Sequence, residues 1–155
     1  MHKTYALRYL WVLVFSLLFS SALFADEDEV LNEDKPFAKA HIILQISDAD
    51  PKKQALVIDI ANNLIRHYGG ADMADIEIIA FASGIDLLFD GSPNESRIAS
   101  LTDSGVKFYI CMNTVDTRER KTGKRPKISK HAIGVQTGVA FLVDEIKRGY
   151  THIKP

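Results

Sequence analysis

Four apolar runs, most of them followed by a segment of helical spacing, constrain this chain more than any other feature. Ala40 to Ile46 is nearly continuous in apolar residues, as expected of a strand covered on both faces. Asp50 then offers an N-cap with Pro51 at the first helical position, and Val57, Ile60, Ala61, Leu64 and Tyr68 recur at helical spacing until Gly69-Gly70. Ile76 to Ala82 predicts a second strand, closed by Ser83-Gly84. Ser92-Pro93-Asn94-Glu95 has the form of a capping box opening a short helix, with Ile98 and Leu101 on its buried side and Gly105 at its end. Val106 to Ile110 predicts a third strand, and Ala132 to Val135 a short fourth. Gly138 to Arg148 reads as a helix with Val139, Leu142, Val143 and Ile146 as its apolar stripe and Gly149 as its cap, and Tyr150 to Ile153 as a last strand. Such alternation in one short chain predicts an α/β fold, a three-layer α/β/α sandwich with a mostly parallel sheet of about five strands.

Parallel strands bring their carboxyl ends to one edge, so the loops after the first three strands converge there. Ser47 and Asp48, Ser83 and Gly84, and Cys111-Met112-Asn113-Thr114 are the residues expected in that crevice. Cys111 is the one cysteine of the chain. A helical turn starting directly after it would turn free backbone N–H groups and the helix dipole toward the sulfur, favouring the reactive thiolate. Its competing reading is a small buried hydrophobe.

Arg118, Arg120, Lys121, Lys124, Arg125, Lys127 and Lys130 face Glu119 alone over residues 118–130, and Gly123 and Pro126 make this run read as a loop. Arg118, Arg120 and Lys121 are candidates for attracting anionic sulfur compounds to Cys111. A solvated insertion is the other reading. His131 would be carried toward the crevice by this loop, or stay an exposed loop histidine. The five histidines show no metal-ligand spacing with one another or with Cys111, so no metal site is expected. No Gly-x-Ser-x-Gly elbow and no three-glycine dinucleotide fingerprint occurs, which argues against a serine hydrolase and a nucleotide cofactor, and no cofactor is expected.

The amino terminus has the pattern of an export signal. Lys3 and Arg8 precede an apolar stretch from Tyr9 to Phe19, and Ser20 to Ala25 supplies small residues, with cleavage expected after Ala25, or alternatively after Ala22. The apolar core is about half the roughly 20 residues that span a bilayer, which disfavours a membrane helix. The expected organisation is thus a signal peptide over 1–25, a flexible acidic leader over 26–39 that holds Asp26-Glu27-Asp28-Glu29, and one folded domain over 40–155, periplasmic or secreted without a stable membrane anchor. Without the signal the chain holds 17 basic and 20 acidic side chains, a balance that points to neither nucleic acid nor a membrane surface.

With these elements in order, the sequence resembles the DsrE/DsrF-like proteins, and more narrowly their small exported members. The resemblance rests on Asp50-Pro51-Lys52-Lys53-Gln54 opening a helix, on the Ser83-Gly84-Ile85-Asp86-Leu87-Leu88 turn, on the segment from Gly105 to Thr114, and on the closing Gly149 to Pro155. It covers residues 40–155 and is most specific around Cys111. It implies a sulfur carrier or sulfurtransferase in which Cys111 accepts sulfane sulfur as a persulfide, passing it between a donor or acceptor protein or a small thiol. It also implies a homo-oligomer, a trimer or hexamer. The alternative is a non-catalytic oligomeric binding or assembly module with a structural Cys111.

Overall fold

The computed structural model describes residues 31–155, so the expected signal peptide and the first part of the acidic leader lie outside the described residues. Five strands form one parallel sheet: β1 (Ala40–Ile46), β2 (Ala74–Ala80), β3 (Lys107–Cys111), β4 (Ala132–Val135) and β5 (Thr151–Ile153), in the order β4-β3-β2-β1-β5. The chain steps in one direction from β1 to β4. Right-handed crossovers therefore place α1 (Pro51–Tyr68), α2 (Glu95–Asp103) and α3 (Met112–Thr122) on one face. The return from β4 to β5 at the far edge runs over the other face, which α4 (Gly138–Arg148) covers as its one helix.

The core divides accordingly. Ile42, Leu44 and Ile46 of β1, Ile76 and Ile78 of β2, and Phe108 and Ile110 of β3 pack with Val57, Ile58, Ile98, Leu101 and Val115 from the three-helix layer. The alternate residues Ile43 and Ile79 meet Leu142 and Tyr150 on the α4 side, with Tyr109 and Phe141 beside them at 4.3 Å between ring centroids. By the same alternation Cys111 faces α4. The expected α1 start is found, with Asp50 Oδ1 accepting from the Lys52 N–H at 2.9 Å and Gly69 closing the helix at φ 99°.

Several expectations are corrected. β2 spans 74–80 rather than 76–82, because Asp75 and Glu77 lie inside it and interrupt the apolar run that marks it in sequence. The Ser92 capping box does not form. α2 starts at Glu95, its N-cap Asn94 makes no side-chain bond, and Ser92 Oγ accepts from the Asn94 N–H at 3.3 Å in a preceding turn. The basic run is not a loop throughout, since α3 continues to Thr122 and carries Arg118, Arg120 and Lys121. Residues 31–39 pack against the sheet rather than forming a free leader: Asn32 and Lys35 are buried, Asn32 Nδ2 donates to Asp75 Oδ2 at 3.0 Å, and Lys35 Nζ donates to the Ala74 carbonyl at 2.9 Å. Polar groups hold this segment, so apolar periodicity cannot reveal it. On α4 the buried line is Gly138, Leu142 and Glu145, whereas Val139 (53 % exposed), Val143 (43 %) and Ile146 (43 %) point away from the sheet.

Glu145 turns inward over an unusual floor. Asp75 and Glu77 are buried on the α4 face, and one oxygen of each, Asp75 Oδ1 and Glu77 Oε2, has no hydrogen-bond partner. Burial pushes the Asp75 carboxyl up, but bonds from the Tyr150 hydroxyl, Asn32 and His41, with the charge of Lys35, outweigh it and hold the group below its ordinary value. Glu77 has weaker help. Burial first, then the charges of Glu145 and Asp75, push it up to about 7, against a single bond from the Tyr109 hydroxyl at 3.2 Å and the charge of Lys107.

Between the ordinary value of 4.5 and about 7 the folded chain keeps a proton that the unfolded chain has released, so this group's contribution to stability falls as pH rises through that window and is level above it. Glu77→Gln removes the ionisation. Denaturant melts are expected to show it more stable than the native chain by about 2 kcal/mol at pH 8 and within about 0.5 kcal/mol at pH 4. A difference that does not change with pH would contradict the buried-proton account.

Candidate functional site at the carboxyl edge of the sheet

β3 ends where α3 begins, and Cys111 is both the last strand residue and the helix N-cap. The Gly138 N–H, at the start of α4, donates to Cys111 Sγ at 3.2 Å. At the first turn of α3 the Thr114 hydroxyl and the Thr114 and Asn113 N–H groups also favour the anion, although the Asn113 N–H itself donates to the Gln136 carbonyl at 3.1 Å. Burial opposes them and is the largest single influence, yet the combined donors hold the thiol below its ordinary value. Two helix amino termini thus meet at one sulfur. The residue is 6 % exposed, so its donors are more evident than its access.

Gly138 eases this approach. A Cβ there would lie 3.0 Å from Cys111 Cβ and 3.3 Å from Phe81 Cβ, tighter than ordinary contact, so a side chain would push Cys111 or Phe81 aside by a few tenths of an ångström. Asn113 fixes the same junction, donating from Nδ2 to Thr137 Oγ1 at 3.0 Å and accepting at Oδ1 from Gln136 Nε2 at 2.6 Å. The Cys111 S–H has the Gln136 carbonyl at 3.9 Å as a weak acceptor.

The other expected residues fall into two neighbouring groups. Ser47, Ser83 and Gly84 meet where β1 and β2 end: Ser83 Oγ donates to the Ser47 carbonyl at 3.2 Å, and Gly84 sits directly on the Ile46 carbonyl. Ser83, Asn113, Thr114, Arg118 and Lys121, joined by Thr117 and Ala82, line a cleft of about 520 Å³. Cys111 lies behind Asn113 and Thr114 rather than in the cleft wall. Ala82 takes φ 50° at the cleft lip, the single described non-glycine residue with positive φ. Arg120 stands apart, donating to Thr117 Oγ1 at 2.7 Å without lining the cleft. His131 is not near the sulfur. It precedes β4 and lines a separate hollow at the opposite, amino edge of the sheet with Asn32, Lys35 and Lys107, because the loop that carries it returns the chain to the start of a parallel strand.

Sequence reasoning placed a helix at Gly138 but did not identify its N–H as a ligand of the sulfur, 27 positions away in the chain. The glycine at a helix start after Thr137 is the available signal. Thr117 was likewise missed, and its spacing of three from Thr114 on α3 could have indicated it. Among the described residues, no group of three or more His, Cys, Asp or Glu side chains is placed to hold a metal ion. No described helix is long and apolar enough to cross a membrane.

No protein-family model and no curated protein matches the sequence. Solved structures do match the fold. A protein of unknown function, MTH1491 from Methanobacterium thermoautotrophicum, is 23% identical and superposes with a TM-score of 0.67, covering 75% of this chain and 99% of its own. The ychN protein from E. coli is 11% identical with a TM-score of 0.58, again over 75% of this chain and 99% of its own. At these identities the two likenesses show a shared fold and nothing finer.

Proposed function

We propose that this protein is an exported sulfur carrier that takes up sulfane sulfur as a persulfide on Cys111. The observation that carries the reading is the Gly138 N–H donating to the Cys111 sulfur at 3.2 Å, which with the polar groups of the first turn of α3 favours thiolate over thiol. The thiolate attacks the outer sulfur of a donor R–S–SH. A Cys111 Sγ–S bond forms, the donor S–S bond breaks, and R–S⁻ leaves with the electron pair and takes up a proton from water. An acceptor thiolate later attacks the same outer sulfur and regenerates the Cys111 thiolate. No oxidant is consumed in either step. The fold likeness supports this reading, and the Lys3 to Ala25 pattern supports the export.

Intact mass tests it. After treatment with glutathione persulfide the full chain is expected to carry one added sulfur atom, which excess glutathione removes. A chain that gains no sulfur, under conditions that load a free small thiol, would overturn the proposal.

The assembly reading has its own support in Val139, Val143 and Ile146, a row on the outer face of α4 with spacing i, i+4, i+7, with Ile133 of the neighbouring β4 also exposed. This favours a homo-oligomer, which is compatible with sulfur carriage. Light scattering is expected to give a multimer for the native chain and a smaller species for Val143→Glu. A monomer at high concentration would count against it.

A further inference from the structure

We infer that the cleft in front of Asn113 and Thr114 is an anion subsite, in which Lys121 holds a carboxylate of a peptide-sized thiol or persulfide whose sulfur is directed at Cys111. Thr114, Thr117, Arg118 and Lys121 follow one another at spacings of three, four and seven from the first, so a single face of α3 forms one wall of the cleft, with Cys111 set back from it at the start of the helix. No carboxylate lines that wall.

The charges differ in how far they are already used. Arg118 is paired with Asp86 at 2.8 Å and lies over the Phe89 ring, 5.7 Å from its centroid, so it is held in place as a partly neutralised wall. Arg125 is paired with Asp116 and Glu119, and Lys127 with Asp90. Lys121 has no carboxylate within ion-pair distance among the described residues, which leaves an uncompensated cation at the outer end of the cleft.

Position sets the size of the partner. Lys121 lies seven residues beyond Thr114, about 10 Å along the helix at 1.5 Å per residue. A short peptide with a terminal carboxylate several bonds from its sulfur spans that distance better than a compact anion with its charge beside its sulfur. The cleft volume of about 520 Å³ is in the range of small-molecule sites.

The sulfane-sulfur part of this inference rests on the proposed function, but the anion part does not, and disulfide exchange separates them. The Cys111 thiolate attacks one sulfur of glutathione disulfide, forming a mixed disulfide and releasing glutathione thiolate, with no other reactant. Rates would be compared for glutathione disulfide, which is anionic, and 2-hydroxyethyl disulfide, which is neutral, on the native full chain and on Lys121→Gln. The substitution is expected to slow the glutathione reaction about fivefold, the scale of one exposed ion pair, and to leave the neutral disulfide unchanged. High salt should reproduce that loss in the native chain. Equal effects on both disulfides, or none on either, would overturn the subsite. A Lys121 dependence in a chain that accepts no sulfane sulfur would keep the subsite and reject the carrier, while sulfur uptake without that dependence would do the reverse.

Discussion

Gly84→Ala is expected to destabilise the protein by about 3 kcal/mol or more, lowering its melting temperature by about 10 °C. The reason is local and steric. A Cβ at this position would lie 2.2 Å from the Ile46 carbonyl oxygen, 2.6 Å from its carbon and 2.8 Å from the Ser47 nitrogen. All three are backbone atoms at the end of a central strand, so no side-chain rotation relieves the clash. The 3-10 turn over Ala82–Leu88 is also fastened there, by the Phe81 N–H to the Ile46 carbonyl at 3.1 Å and by Ser83 Oγ to the Ser47 carbonyl. Gly91 provides the contrast. Its φ is 75° but nothing lies within 4 Å of a built Cβ, so Gly91→Ala should cost only about 1 kcal/mol, from backbone strain alone. A Gly84→Ala protein that melts within 2 °C of the native chain, roughly the shift of about half a kcal/mol, would contradict the close approach.

The strain at this turn and the donors at Cys111 belong to the same edge of the sheet, and they differed in how readable they were. Strand ends are legible when an apolar run stops abruptly, as at Ile110 before Cys111-Met112-Asn113-Thr114, which is why Ser47, Ser83 and Gly84 are found where β1 and β2 end and Asn113 and Thr114 where β3 ends. The capped start of α1 at Asp50-Pro51 was equally plain, because the cap is local in sequence. Interactions between distant polar residues were not. Asp75 and Glu77 look like surface residues and lie instead in β2, with Asn32, His41, Tyr109 and Tyr150 as partners that only the folded sheet supplies.

α4 is misread for a related reason: Glu145 faces two carboxylates that repel it and is held instead by Arg148. Counting apolar residues favours a stripe of Val139, Leu142, Val143 and Ile146. The helix instead turns Glu145 inward, with Arg148 Nη1 donating to it at 2.6 Å and Arg148 Nη2 donating to the Leu31 carbonyl at 2.7 Å, and keeps Gly138 against the sulfur. Three of the four apolar residues of the stripe are left outside. A helix that buries a glycine and a glutamate at the expense of two valines and an isoleucine is serving a junction rather than maximising apolar contact.

The second large effect concerns Cys111 itself. Cys111→Ser preserves the acceptor that the Gly138 N–H requires and fills nearly the same volume, so the variant should stay folded, with a stability loss of about 1 kcal/mol. Its hydroxyl is far too weak an acid to supply the anion that the Thr114 and Asn113 donors favour at the sulfur, and it cannot hold a sulfane sulfur. Loss of sulfur acceptance is therefore expected to be complete rather than partial. The most direct measurement is intact mass spectrometry of the native chain and Cys111→Ser, side by side, before and after glutathione persulfide. The account predicts one added sulfur atom on the native chain and none on a folded Cys111→Ser. No gain in mass on the treated native chain, or a serine variant that does not fold, would mean that Cys111 is a residue of the core and not a carrier of sulfur.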